Sequence, residues 1–163
     1  RFAELFALSR RHIDLDNGTI RVERAVHTFV GKPAEFGGLK TKQSRRTVVL
    51  PAFVVAILRA HMARFLAIKP DALIFTNPAS GEPMNSRTIM RYIAPARAAI
   101  GRPEIHWHDL RHTGATHAYY AGATERDVMN RLGHSTPRAA AIYRHAVSGA
   151  DRNLADRLNE RYG

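Results

Sequence analysis

Asp16-Asn17-Gly18 turns the chain back on itself near its start. Glycine reaches positive φ without steric penalty and Asx side chains bond nearby backbone, so this tripeptide between two short apolar runs reads as a tight turn. Before it, "RFAELFALSRRHIDL" places Leu5, Leu8 and Ile13 in the last turns of a helix followed by a strand. After it, "TIRVERAV" alternates as a strand does. "GKPAEFGGLKTKQSRR" reads as a loop and "TVVLP" as a returning strand. The expected result is a small antiparallel sheet over about residues 13–50.

Past that point the period changes. Pro51 suits the first position of a helix, where its missing N–H has no intrahelical partner to lose. Val54, Ile57, Leu58, Phe65 and Leu66 form the expected apolar side of that helix. "ALIF" is a short extended piece inside a loop. Ser86 is the expected cap of a helix carrying Ile89, Met90 and Ile93, with a kink or break at Pro95. "HDLRHTGATHAYYAGA" reads as a helix stopped by Gly122; Thr124 and Asp127 start the next, and Gly133 ends it. Thr136-Pro137 opens the helix bearing Tyr143, and "GADRNLADRLNERYG" reads as an amphipathic tail helix. The fold class is α+β: mainly α-helical, with a small antiparallel three-stranded sheet near the N-terminus.

The charge narrows the function. Twenty-five basic residues face 14 acidic ones, for a net charge of +11. Only Lys32, Lys40, Lys42 and Lys69 are lysines; the rest are arginine, whose planar fork of donors matches phosphate oxygens in pairs. Such a domain points first to nucleic acid as partner and second to an anionic membrane. No apolar run approaches the roughly 18 residues that span a bilayer, and no basic helix carries a greasy face, so no membrane partner is expected. The absence of cysteine excludes disulfides and thiolate metal sites and suits a cytoplasmic setting.

His108 and Arg111 lie three apart and project from one helix face, where imidazole and guanidinium could share the oxygens of one phosphate. His108 and His112, four apart, could instead bind zinc. That motif requires glutamate after its first histidine, and Asp109 stands there with no third ligand evident. No metal and no cofactor is therefore expected.

"HDLRH", "RLGHS" and "IYRHA", taken with the opening box and "KTKQSRRTVVLP", resemble in their order the tyrosine recombinases of the phage integrase family. In the opening box an arginine precedes a glutamate by three and a short strand follows; the tyrosine comes nine residues after Leu-Gly-His. The resemblance implies an integrase-like catalytic domain over residues 1–163, with a strand-and-hairpin part (1–50), a helical catalytic core (51–147) and a tail helix (148–163). It also implies an N-terminally truncated catalytic piece of a phage- or mobile-element-encoded protein. Arg1, His108, Arg111 and His134 would surround the scissile phosphate, Lys40 would protonate the leaving 5′ oxygen, and Tyr143 would attack phosphorus. The reaction would be metal- and ATP-independent. The partner would be double-stranded DNA, and other protomers would join in a tetramer on it, with tail contacts through Leu154 and Leu158.

Each residue also has a plainer reading. Chain ends fray, so Arg1 needs tertiary partners to be held. Glu4 reads as a support for arginine and backbone rather than a chemical group. Lys40 and Lys42 both suit the hairpin loop, and the "KT" of the family favours Lys40. His106 and His112 read as outside the chemistry, and Trp107, Tyr119 and Tyr120 as packing residues. Tyr92 and Tyr162 lack an upstream Leu-Gly-His. Two rival functions share the basic surface: a type IB topoisomerase-like nicking-rejoining enzyme, and a catalytically silent DNA-binding fragment.

Overall fold

The computed structural model describes residues 1–29, 32–39, 41, 44–133, 155–156, 158–160 and 162. The chain opens with a short helix α1 (Phe2–Leu5), a 3-10 turn (Arg10–His12) and strand β1 (Ile13–Asp14). Asp14 Oδ1 then accepts the backbone N–H groups of Asp16 and Asn17 at 3.2 and 2.9 Å, and Gly18 takes φ +61°. This turn delivers β2 (Thr19–Val22) antiparallel to β1, with Ile13 opposite Ile20. Strand β5 (Arg46–Val49) pairs on the other edge of β2, Ile20 opposite Val48, completing the three-stranded antiparallel sheet β1-β2-β5.

"TIRVERAV" is not one strand. It breaks at Glu23, and β3 (Arg24–His27) leaves to pair with β4 (Glu35–Gly38) as a separate two-stranded ribbon. The reason is packing: Ala25 and Val26, adjacent in sequence, are both buried, and Arg24 Nε donates to the Ala7 carbonyl at 2.9 Å. That places β3 against the first segment of the chain rather than beside β5.

Phe6, Ala7 and Leu8 are buried in succession, so this opening segment is central rather than frayed. Phe6 and Ala7 pack with Val26 and Met84, flanked by Phe2, Phe75 and Trp107, whose ring lies 5.7 Å from that of Phe6. Leu8 packs with Leu58, Met62 and Ile74. "ALIF" returns here as extended chain, with Leu73 bridging Ser9 and Ile74 N–H donating to Leu8 O.

Four longer helices follow. Helix α2 (Ala52–Phe65) begins one residue later than expected, because Pro51 caps it with its carbonyl, accepting from Val54 and Val55 N–H. Its buried stripe is Leu58 and Met62; the expected Ile57 and Phe65 are 66% and 65% exposed. Helix α3 (Ser86–Ala99) is capped by Asn85, not Ser86: Asn85 Oδ1 accepts Thr88 N–H at 2.9 Å. It runs through Pro95 without ending. The surrounding stretch is exposed, so the lost backbone bond falls to solvent rather than leaving a buried orphan. Helix α4 (Trp107–Tyr120) stops before Gly122, at φ +89°. Helix α5 (Glu125–Leu132) starts in the expected Thr124/Asp127 capping box and ends at Gly133. Ala115 of α4 and Val128 of α5 seal the two together. The described tail residues 155–156, 158–160 and 162 are helical. Among the described residues no helix is long and apolar enough to cross a membrane.

Candidate active site

A helix ends with carbonyls that lack intrahelical partners and carry its negative dipole end. In α5 these carbonyls gather arginines. Gly133, at φ +65°, folds its N–H back onto Asn130 and Met129. Arg131 O accepts from Arg46 Nε at 2.8 Å, and Leu132 O from Arg111 Nη2 at 2.6 Å. Gly133 O accepts from Arg1 Nη2 at 2.8 Å. Three guanidiniums, from the starts of α1 and β5 and from α4, meet where α5 stops, one residue before His134.

Glu4 balances part of that charge. Its carboxylate is 5% exposed and receives Arg1 Nη1 at 2.5 Å and Arg46 Nη2 at 2.8 Å. Burial alone raises its pKa; the hydrogen bond from Arg46, the hydrogen bond from Arg1 and the charge of Arg46 outweigh that and hold it well below the ordinary carboxylate range. Glu4 is thus an ionised brace, as its supporting role required. Arg1 also donates to Ser44 Oγ at 3.4 Å, so the chain's first side chain is tied to α1, to α5 and to the segment between β4 and β5, which joins two separate sheets rather than forming the expected hairpin.

His108 lies exposed on α4, its ring edge-on to His112 with centroids 4.7 Å apart. Burial, then the neighbouring His112 and Arg111, lower its pKa below the ordinary 6.5, which leaves a neutral imidazole at pH 7. Asp109, which stands where a zinc motif needs glutamate, takes the His106 N–H at 2.7 Å and so starts the helix. Among the described residues no three His, Cys, Asp or Glu side chains group as metal ligands. Trp107 packs on Phe2 and Phe6, and Tyr119 against the α4–α5 seam. Tyr120 is 46% exposed, its ring 6.5 Å from that of His117.

A cleft of about 560 Å³ opens beside these groups, bordered by Arg1, Glu4, Leu39, Thr41, Ser44 and Gly133. Its walls therefore include both chain neighbours of Lys40 and the residue before His134. Lys40, Lys42, His134 and Tyr143 themselves lie outside the described residues, as does Leu154. Of the expected site residues, Arg1 and Arg111 converge on α5, and His108 stands in the field of Arg111. Sequence reasoning missed Arg46. The signal was available: along β5 Arg46 and Val48 share the less exposed face while Thr47 and Val49 face solvent, and a charged residue on an inward strand face must be paired.

Residues 1–149 match the model of the Phage integrase family. The chain belongs to the phage integrase family. The integrase of Mycobacterium phage FRAT1 is 39% identical over the whole of this chain and 50% of its own length. A tyrosine recombinase XerC of Bifidobacterium longum is 31% identical, again over the whole chain, and 42% of the relative. This member of the family thus spans about half the length of the curated relatives it matches. Among solved structures, the Tn1549 transposon integrase in complex with circular intermediate DNA superposes with a TM-score of 0.74 at 21% identity, covering 97% of this chain and 55% of that one. The XerA recombinase gives 0.70 at 23%, covering 97% and 53%. The integrase fold is shared, with its small antiparallel sheets and helical remainder.

Proposed function

We propose that this chain is the catalytic part of a site-specific DNA recombinase that breaks and rejoins strands through a 3′-phosphotyrosyl link. The observation that supports it most is the meeting of Arg1 and Arg111 on consecutive carbonyls immediately before His134. A phosphodiester repels nucleophiles, and its pentavalent transition state gathers charge on the non-bridging oxygens. Donors held in advance around that charge lower the barrier, and losing one such donor costs about 10²- to 10³-fold in rate. Arg1, Arg111, His108 and His134 are the donors in this reading. The pinned guanidiniums need no reorganisation as the charge grows.

Tyr143 Oη forms a bond to phosphorus while the bond to the 5′ oxygen breaks. Lys40 gives its proton to that oxygen, and the phenol's proton passes to water. Tyrosine's ordinary pKa is near 10, so attack at neutral pH needs adjacent cationic groups. The phosphotyrosyl link keeps the energy of the broken phosphodiester, so a 5′ hydroxyl can reverse the step without ATP and without a metal. The net charge of +11 supports duplex DNA as substrate. Further copies of the chain, joined through residues 148–163, complete the assembly in this reading; Leu158 and Tyr162 there are 50% and 75% exposed.

The test is a covalent trap. The full-length protein is mixed with a pool of nicked duplexes of randomised core sequence, and adducts that survive denaturation are sequenced. We expect an adduct that is lost in Tyr143→Phe and kept in Tyr162→Phe. No adduct, or one that persists in Tyr143→Phe, sinks the proposal. With the selected duplex, joining of two DNAs that is lost on deleting 150–163 separates a recombinase from a monomeric topoisomerase-like enzyme, which would relax supercoils regardless of the tail.

A further inference from the structure

We propose that Arg46 is a positioning residue for strand cleavage, one that locks the lysine-bearing connection between β4 and β5, the Glu4–Arg1 pair and the end of α5 into a single arrangement. The inference rests on the recombinase reading above. Arg46 itself is turned inward, its side chain 12% exposed, and it is not among the residues bordering the 560 Å³ cleft. Its three nitrogens serve three parts of the fold. Nη1 donates to Ser44 O at 2.9 Å, at the end of the connection from β4 to β5. Nη2 donates to Glu4 Oε2 at 2.8 Å, and Glu4 holds Arg1. Nε donates to Arg131 O at 2.8 Å, beside the carbonyls that hold Arg111 and Arg1.

The network continues at both ends toward reacting groups. Ser44 Oγ bonds Thr41 Oγ1 at 2.9 Å, one residue from Lys40, and Gly133 packs against the guanidinium one residue from His134. A Cβ on Gly133 would stand 2.9 Å from Arg46 Nη1, so the chain approaches as closely as glycine permits. One planar group therefore ties together, across long stretches of sequence, the segments on which the proton donor and two phosphate ligands are carried. Lysine cannot imitate it: a single ammonium keeps the charge but cannot reach acceptors lying along different edges of a guanidinium. Misplacing catalytic groups by about 1 Å can cost on the order of 10²-fold in rate.

The experiment compares Arg46→Lys with the parent in the full-length protein, using the duplex selected by the adduct trap. Single-turnover adduct formation at saturating DNA is expected to fall roughly 10- to 100-fold. The DNA Kd should hold, whereas loss of a bidentate guanidinium–phosphate contact weakens binding. Leu58→Ala, in the core away from the site, controls for stability: it should lower Tm at least as much and leave the rate per folded molecule near the parent's. Glu4→Gln, the second variant, should slow the same step, and combining it with Arg46→Lys should slow it less than the product of the two effects. A rate for Arg46→Lys within about twofold of the parent, a loss confined to Kd, or an equal loss in Leu58→Ala overturns the proposal. If the parent forms an adduct that Tyr143→Phe removes while Arg46→Lys cleaves normally, only this inference fails; if the parent forms none, the recombinase reading fails first.

Discussion

Gly133 shows how much one backbone dihedral angle decides here. At φ +65° it ends α5, turns its N–H back on the helix, and offers its carbonyl to Arg1. An L-residue in that conformation costs about 1–2 kcal/mol. Here the new Cβ would also displace a guanidinium held by three hydrogen bonds. Gly133→Ala should therefore destabilise the protein by about 2 kcal/mol or more, read as a fall in urea midpoint at unchanged slope. A midpoint equal to the parent's would mean that neither strain nor close packing matters at this position.

Helix α2 and strand β5 both carry residues whose face decides their role. In a helix one step along the chain is about 100° around the axis. Leu58, 7% exposed, therefore packs on Leu8 and Ile74 while its neighbour Ile57, 66% exposed, does not. Leu58→Ala should cost about 2–5 kcal/mol, and Ile57→Ala should stay within about 0.5 kcal/mol. Equal losses in thermal or urea unfolding would show that α2 sits in a different rotation. In β5 the period of two places Arg46 with Val48 toward the interior and leaves Thr47 and Val49 to solvent, so the strand that pairs with β2 also supplies the site's brace.

Across the whole molecule, acid should act through groups that hold fewer protons folded than unfolded. His12 is 2% exposed, and Ser9 N–H donates to its Nδ1 at 2.9 Å, which leaves that nitrogen without a proton. Burial, then Arg24 and Arg11, lower its pKa, and His108 is lowered as well. For such histidines the stability is fully present above the unfolded value near 6.5 and is lost as pH falls through the folded values. Glu4 adds a second step, present above 4.5 and lost as pH falls through its lowered folded value. Unfolding free energy should decline in two stages on acidification, and Glu4→Gln should flatten the lower one. A Glu4→Gln protein as steep as the parent below pH 4.5 would remove Glu4 as the cause.

Local rules of the chain by themselves determined the turn at Gly18, the Thr124/Asp127 start of α5 and its stop at Gly133, because each rests on bonds among residues a few positions apart. The order of the boxes likewise pointed to the family, which the family comparison bears out, and Glu4 was legible as a brace from its spacing to Arg1. The Asn85 cap, bonded to Thr88 three residues on, was local as well, though Ser86 was the expected cap. Tertiary packing alone decided the break at Glu23 and the buried stripe of α2. It also decided that Arg46, rather than Glu4 alone, gathers the site. Those outcomes depend on which surfaces meet across long sequence separations. A guanidinium that bonds residues 4, 44 and 131 at once leaves no local pattern beyond a charge on the inner face of a strand.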